Sequence, residues 1–254
     1  MILCIDIGNS NIVLGGFEND TLSFVARIST DTAKTEDEYA SLILDVLSLR
    51  NVNKTLIDGS IISSVVPPLN TVMKNAVATA FGVDSLLVGP GIRTGLGIHC
   101  DNPASVGSDI ICACVAARNL YESPCLVIDM GTATKMSVID KNGVFIGVSI
   151  IPGVMMGLEA LSSGTAQLPQ VSLEAPSSLI GKNTADSMKS GIIYGNASLI
   201  DGMIDRFFEE TGEQMKIVAT GGLAQTITKF CKHSIILDDN MVLKGLNFIY
   251  RKNS

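Results

Sequence analysis

The opening motif of this chain occurs twice, and that repeat constrains the fold more than any other feature. Residues 3–14 read Leu-Cys-Ile-Asp-Ile-Gly-Asn-Ser-Asn-Ile-Val-Leu, and residues 126–137 read Leu-Val-Ile-Asp-Met-Gly-Thr-Ala-Thr-Lys-Met-Ser. Each copy is a short apolar run ending in Asp-x-Gly, then small polar residues, then a second run. That pattern predicts a strand, a tight turn and a returning strand. Asp6 and Asp129 stand about half the chain apart, so two tandem halves that open on the same hairpin are the simplest account.

Helices and strands alternate after each hairpin. Tyr39, Leu42, Ile43, Val46 and Leu47 fall at helical spacing over 36–49, and Thr35 with Glu38 forms a capping-box pattern. Residues 60–66 read as a buried strand stopped by Pro67 and Pro68. Residues 106–120 read as a helix with Ile110, Ile111, Cys114 and Val115 on one stripe. In the second half, 185–210 predicts one or two helices, 216–220 a strand and 241–250 a last helix. The expected architecture is α/β, with two similar domains facing each other across a cleft. The boundary falls near residue 120, giving 1–120 and 121–254, with the C-terminal helix packing back on the first half as an option.

Composition removes several function classes. The net charge is −7, the pI is near 4.8, and Lys and Arg form no run, so a nucleic-acid groove lacks its basic stripe. No apolar stretch approaches the ~18 residues of a membrane span. The first residues read directly as a strand with no targeting segment, and the expected location is cytoplasmic. Cys4, Cys100, Cys112, Cys114, Cys125 and Cys231 show no C-x-x-C spacing and sit in apolar patterns, as reduced core cysteines do. His99 and His233 are far apart and offer no transition-metal spacing.

The chemistry concentrates at the turns. Asp6-Ile7-Gly8-Asn9-Ser10 ends a strand with a carboxylate and turns at Gly8, so that backbone N–H groups and the side chains of Asn9 and Ser10 can face phosphate oxygens. Asp6 would then act through Mg²⁺ and its waters. Alone, the motif is weak, and an ordinary hairpin with an Asp at its turn is the better reading. Its repetition at Asp129-Met130-Gly131-Thr132-Ala133-Thr134 favours two hairpins on one polyphosphate, with Thr132 and Thr134 supplying hydroxyls. Pro152-Gly153 and Gly221-Gly222 are glycine turns at strand ends, either close-approach sites for a nucleoside or plain loops. Asp101-Asn102-Pro103 precedes Val106-Gly107-Ser108-Asp109, where Asp109 sits in a helix first turn. The dipole alone favours a carboxylate there.

Taken together these residues, with Thr165-Ala166-x-Leu168-Pro169 and Ile180-Gly181-x-Asn183-Thr184, resemble the type III pantothenate kinases, in that family's order from residue 6 to residue 222. The resemblance implies a duplicated actin-like (ribonuclease H-like) ATPase fold with two similar domains around a nucleotide cleft. It implies ATP-dependent phosphorylation of pantothenate to 4'-phosphopantothenate, the first step of coenzyme A biosynthesis. Its cofactors are ATP, Mg²⁺ and a monovalent cation (K⁺ or NH₄⁺), and its assembly is a homodimer. By the same resemblance Asp109 is the catalytic base, Gly107, Ser108, Asp109 and Ile110 border pantothenate, and Thr184 reaches it from the subunit interface. Asp6, Ile7, Gly8, Asn9, Ser10, Asn11, Ile12, Val13 and Thr132 hold ATP. Asp129 binds the monovalent cation and Asp6 meets Mg²⁺ through water. Phosphoryl transfer needs alignment and charge neutralisation more than covalent chemistry, which fits this cast.

The chain departs from the family at four places. The family's Val-Gly-Ala-Asp-Arg stands here as Val106-Gly107-Ser108-Asp109-Ile110, which removes a guanidinium able to fork onto a carboxylate. Arg93 is a candidate substitute. Cys100 replaces a tyrosine, Gly147-Val148 replaces a double glycine, and Lys135 replaces a threonine. The Lys135 ammonium can sit near the γ-phosphate or near Asp129, in place of the cation, or it can point to solvent as alternate strand residues do. The alternatives to a pantothenate kinase are a paralogous small-molecule kinase with another acceptor and a non-catalytic regulatory or ligand-sensing member. Met188, Ile192, Leu199, Met203, Ile204 and Phe207 on 185–210 suggest a dimer face that brings Thr184 to the partner, or an ordinary core helix.

Overall fold

The computed structural model describes residues 1–254, which pack as two units: Met1–Leu120 with Asn240–Ser254, and Tyr121–Asp239. The first unit runs β1 (Ile2–Ile7), β2 (Asn11–Glu18), β3 (Thr21–Ser29), α1 (Glu36–Leu49), β4 (Gly59–Ser64), α2 (Leu69–Phe81), β5 (Ser85–Leu87), β6 (Gly97–Ile98) and α3 (Ser108–Leu120). The second runs β7 (Cys125–Met130), β8 (Ala133–Ile139), β9 (Val144–Pro152), α4 (Val154–Ser163), α5 (Thr184–Thr211), β10 (Lys216–Thr220), α6 (Ala224–Thr228) and β11 (Ile236–Leu237). The last helix, α7 (Met241–Asn253), belongs to the first unit.

The repeat reappears as topology. In the first unit the strand order is β3-β2-β1-β4-β5, and in the second β9-β8-β7 continues into β10-β11. Each half is therefore an antiparallel three-strand meander whose first strand also pairs in parallel with a later one, β4 in one case and β10 in the other.

Strand alternation divides the first unit into two layers. Leu3, Ile5 and Ile7 of β1 join Tyr39, Ile43 and Leu47 of α1 and Leu69, Met73 and Val77 of α2 in one core. Cys4 and Asp6 point the other way, toward the side covered by α3 and α7. A strand buried on both faces reads as an unbroken apolar run, which is why Ile2–Ile5 shows no alternation ahead of Asp6. The capping box is present: Thr35 Oγ1 accepts from Glu38 N at 3.4 Å, and Glu38 Oε2 accepts from Thr35 N at 2.8 Å. α3 is buried all round from Ile110 to Ala117 rather than on one stripe, because the sheet lies on one side and α7 on the other. A boundary at residue 120 leaves α7 in the second half of the sequence. Its place in the first unit follows from Met241, Leu243, Leu246 and Ile249, all essentially fully buried there.

In the second unit Leu126, Ile128, Met130, Met136, Val138, Ile217 and Ala219 form one sheet face, packed by α4, α5 and α6. α5 is a single 28-residue helix. Its Met188, Ile192 and Ile204 are buried in this core, and Met203 and Phe207 pack against it. These residues therefore serve their own subunit, and of the six only Leu199 stays as much as 36% exposed.

Candidate functional site

In the first unit Asp6 is the penultimate residue of β1 and lies opposite Ser63 in the parallel register with β4. Ser63 Oγ donates to Asp6 Oδ1 at 2.9 Å and lies 3.0 Å from Ser108 Oγ, the first residue of α3. Ser108 Oγ also accepts from Ser64 N at 2.9 Å and donates to Ser64 O at 3.0 Å. The hydroxyl of Ser108 thus ties the start of α3 to the end of β4 and stands beside the Ser63 hydroxyl that serves Asp6. Asp109 follows in the first turn, its Oδ1 accepting from Ile110 N at 2.8 Å. A Cβ on Gly107 would stand 2.6 Å from that oxygen, so glycine leaves the carboxylate its place.

One turn further along α3 stands the fully buried Cys112 thiol. Burial first, then the charges of Asp6 and Asp109, hold it well above the usual thiol range, against an opposing hydrogen bond with Ser63. Asp6 and Ser63 are hydrogen-bonded, Ser108 stands 3.0 Å from Ser63, and Asp109 follows Ser108 in the chain, which puts the four on the α3 side of the sheet. The thiol stays protonated and adds no charge.

The rest of the expected first-unit set divides by burial. Asn9, Ser10 and Asn11 are exposed at the hairpin tip. Ile7 and Ile12 are core side chains and can border a ligand only through their backbone. The tip is braced from β3, since Thr30 Oγ1 donates to Gly8 O at 2.6 Å and Thr30 N to Ser10 O at 3.2 Å. Ile110, where the family carries arginine, is buried. Arg93 is exposed, its backbone tied to Asn253 at the end of α7 through bonds of 3.1 and 2.8 Å. Asp101, Asn102 and Pro103 lie in an exposed loop that passes into a short 3₁₀ turn.

In the second unit Asp129 holds the same penultimate position in β7, with Lys135 opposite it in β8 and Thr220 beside it in β10. Lys135 Nζ is 2.7 Å from Asp129 Oδ2. Thr132 is exposed at the hairpin tip. Thr134 is paired with Met130 and packs on the opposite sheet face, its buried Oγ1 without a hydrogen-bond partner. Thr134→Val should therefore be neutral or stabilise by up to about 1 kcal/mol, since it removes an unsatisfied hydroxyl at nearly constant shape. A melting curve reads this directly, and a clear loss of stability would give that hydroxyl a role.

Gly153 and Gly221 pack against the hairpin itself. A Cβ at 153 would fall 2.1 Å from Thr132 O, and one at 221, where φ is +97°, 2.6 Å from the Met130 carbonyl. Close approach at these turns is thus required by the fold, independently of a nucleoside. Thr184 opens α5 and is exposed, next to the N-cap Asn183, whose Oδ1 accepts from Asp186 N at 2.9 Å.

Sequence reasoning missed Ser63 and Thr30. Ser63 reads in the sequence only as one of the serines in the strand 60–66, and its partner becomes evident only with the register. Asp6 supplies one carboxylate beside hydroxyls, which suits a Mg²⁺ ion that keeps its water shell and takes further ligands from phosphates. At Asp129, where the resemblance implies a monovalent cation, the Lys135 ammonium stands 2.7 Å from the carboxylate.

Among known proteins, the sequence model of the type III pantothenate kinases matches residues 2–206. A Campylobacter jejuni protein described as a conserved Baf family transcriptional activator superposes with a TM-score of 0.61 at 21% identity, over 99% of this chain and 98% of that one. A Sinorhizobium meliloti protein described as a 2-dehydro-3-deoxygalactonokinase gives 0.61 at 14% identity, over 100% and 99%. An ethanolamine utilization protein from Carboxydothermus hydrogenoformans gives 0.52 at 16%, over 97% and 88%. At such identities these structures speak for the fold alone, the duplicated actin-like ATPase architecture. The family match takes in both hairpins, Asp109 and the start of α5, and on that ground the chain belongs to the type III pantothenate kinase family.

Proposed function

We propose that this chain transfers the γ-phosphoryl group of ATP to the 4'-hydroxyl of pantothenate, with Asp109 as the base. The observation that carries the reading is the polar group of the first unit, in which Ser63 donates to Asp6 at a strand end and Ser108, bonded to the end of β4, precedes Asp109 at the start of α3. In the step, the alcohol oxygen bonds to the γ-phosphorus, the bond to the ADP oxygen breaks, and the alcohol proton passes to Asp109. Asp6 would meet the phosphates through Mg²⁺, and the exposed polar residues at 9–11 would line the phosphates beside it. Measuring ADP release with pantothenate, other hydroxy acids and amides, sugars, and no acceptor tests this. Pantothenate-dependent release is expected. Release only with another acceptor would give the second reading, a paralogous kinase, which the buried Ile110 favours because it cannot grip a carboxylate. No release with any acceptor would leave a ligand-sensing role.

A homodimer belongs to the same proposal. The exposed apolar side chains of Leu179 and Ile180, a few residues ahead of Thr184 in the chain, offer a surface for a second copy. Sedimentation at micromolar concentration is expected to give a dimer, and a monomer there removes this part.

A further inference from the structure

The two hairpins place a carboxylate at the same position and surround it differently. Asp6 lies opposite Val13 in β2, which carries no charge, and Ser63 donates to it. Asp129 lies opposite Lys135 in β8, at an ion-pair distance of 2.7 Å, with only 20% and 15% of the two side chains exposed. Directly opposed residues of an antiparallel pair have Cβ atoms about 5 Å apart on one face, so this contact is set by the register of the sheet. A freely solvated surface pair would be loose and screened; this one is held and largely shielded.

We propose that the Lys135 ammonium is the built-in cation of this hairpin, occupying the carboxylate that would otherwise take a free monovalent ion. The ammonium stands 2.7 Å from Asp129 and places a full positive charge where a free cation would have to sit. A potassium ion on the same carboxylate would stand beside a like charge with no second carboxylate supplied by that register. A tethered ammonium provides the same single positive charge without the cost of immobilising a free ion. The chain should therefore be indifferent to potassium where its relatives by family are expected to need it. The inference builds on the kinase reading above, in that it concerns the cation requirement of the same site.

The primary test needs no turnover. Melting curves are recorded for the wild type, Lys135→Thr, Lys135→Arg and the double variant Asp129→Asn/Lys135→Thr, in sodium against potassium or ammonium at equal ionic strength. Potassium is expected to leave the wild type, the arginine variant and the double variant unchanged, and to raise the Tm of Lys135→Thr by several degrees as it takes the ammonium's place at Asp129. A potassium-induced rise in the wild type as large as in Lys135→Thr, or no rise in Lys135→Thr, overturns the proposal. If Lys135→Thr is unfolded in sodium, recovery of a cooperative melt in potassium is the same expected result, and failure to recover counts against it. In turnover assays the wild type should differ by less than about twofold between sodium and potassium, while Lys135→Thr loses about tenfold or more in sodium and regains it in potassium. Absence of pantothenate-dependent turnover would defeat the kinase reading alone, since the melting comparison still decides the role of Lys135.

Discussion

Asp109→Asn is expected to lower kcat by about 10²- to 10⁴-fold, the range for loss of a positioned base, while ATP binding stays within about twofold of the wild type. The separation follows from where the residue stands. Its Oδ1 accepts from Ile110 N, and an asparagine oxygen can keep that bond, so the first turn of α3 should survive the substitution. What disappears is a group that can accept the proton of the acceptor alcohol. The hairpin tip at 9–11 is braced from Thr30 and does not depend on residue 109. Single-turnover measurements with calorimetric ATP titration separate the two effects, and a melting curve guards against a folding defect. Turnover unchanged by the substitution would remove Asp109 from the chemistry, whichever acceptor proves correct.

Removing residues 240–254 is expected to abolish folding of the first unit. Met241, Leu243, Leu246 and Ile249 are essentially fully buried. At roughly 1.5–3 kcal/mol for each buried side chain they contribute about 6–12 kcal/mol, comparable to the whole stability of a domain, about 5–15 kcal/mol. α3 would lose the neighbour that covers it, and the neighbourhood of Asp6, Asp109 and Cys112 would open to water. The docking is tight at particular glycines: a Cβ on Gly245 would fall 1.9 Å from Cys112 O, and one on Gly59 the same distance from Tyr250 Oη. Gly245→Ala should therefore weaken the same interface in full-length protein, by about 1–3 kcal/mol or more. The truncated chain is expected in inclusion bodies or as a molten species by near-UV dichroism. A soluble, cooperatively melting truncation would show that α7 is dispensable.

The repeat was legible because Asp-x-Gly between two apolar runs is a local signal: turn chemistry and strand propensity act over a few residues and need no knowledge of distant partners. The capping box at Thr35 and Glu38 was readable for the same reason, as were β10 and the extent of α1. Asp6, Asp109 and Asp129 could be named from their motifs, since a family's pattern preserves residue types at fixed spacing. Tertiary structure alone decided what those residues touch. The sequence leaves Ser63 as one more serine in a strand, and only the parallel pairing of β1 with β4 brings it to Asp6. Thr134 and Lys135 are adjacent in sequence, yet the pleat sends one into the core and the other onto Asp129. The apolar residues of α5 gave no sign of whether they covered their own sheet or another subunit, because hydrophobic burial is non-directional and any apolar face satisfies it. For the same reason the attachment of α7 to the first unit followed from the shape of its binding surface, where Gly15, Gly59 and the α3 backbone leave room for Leu243, Tyr250 and Gly245.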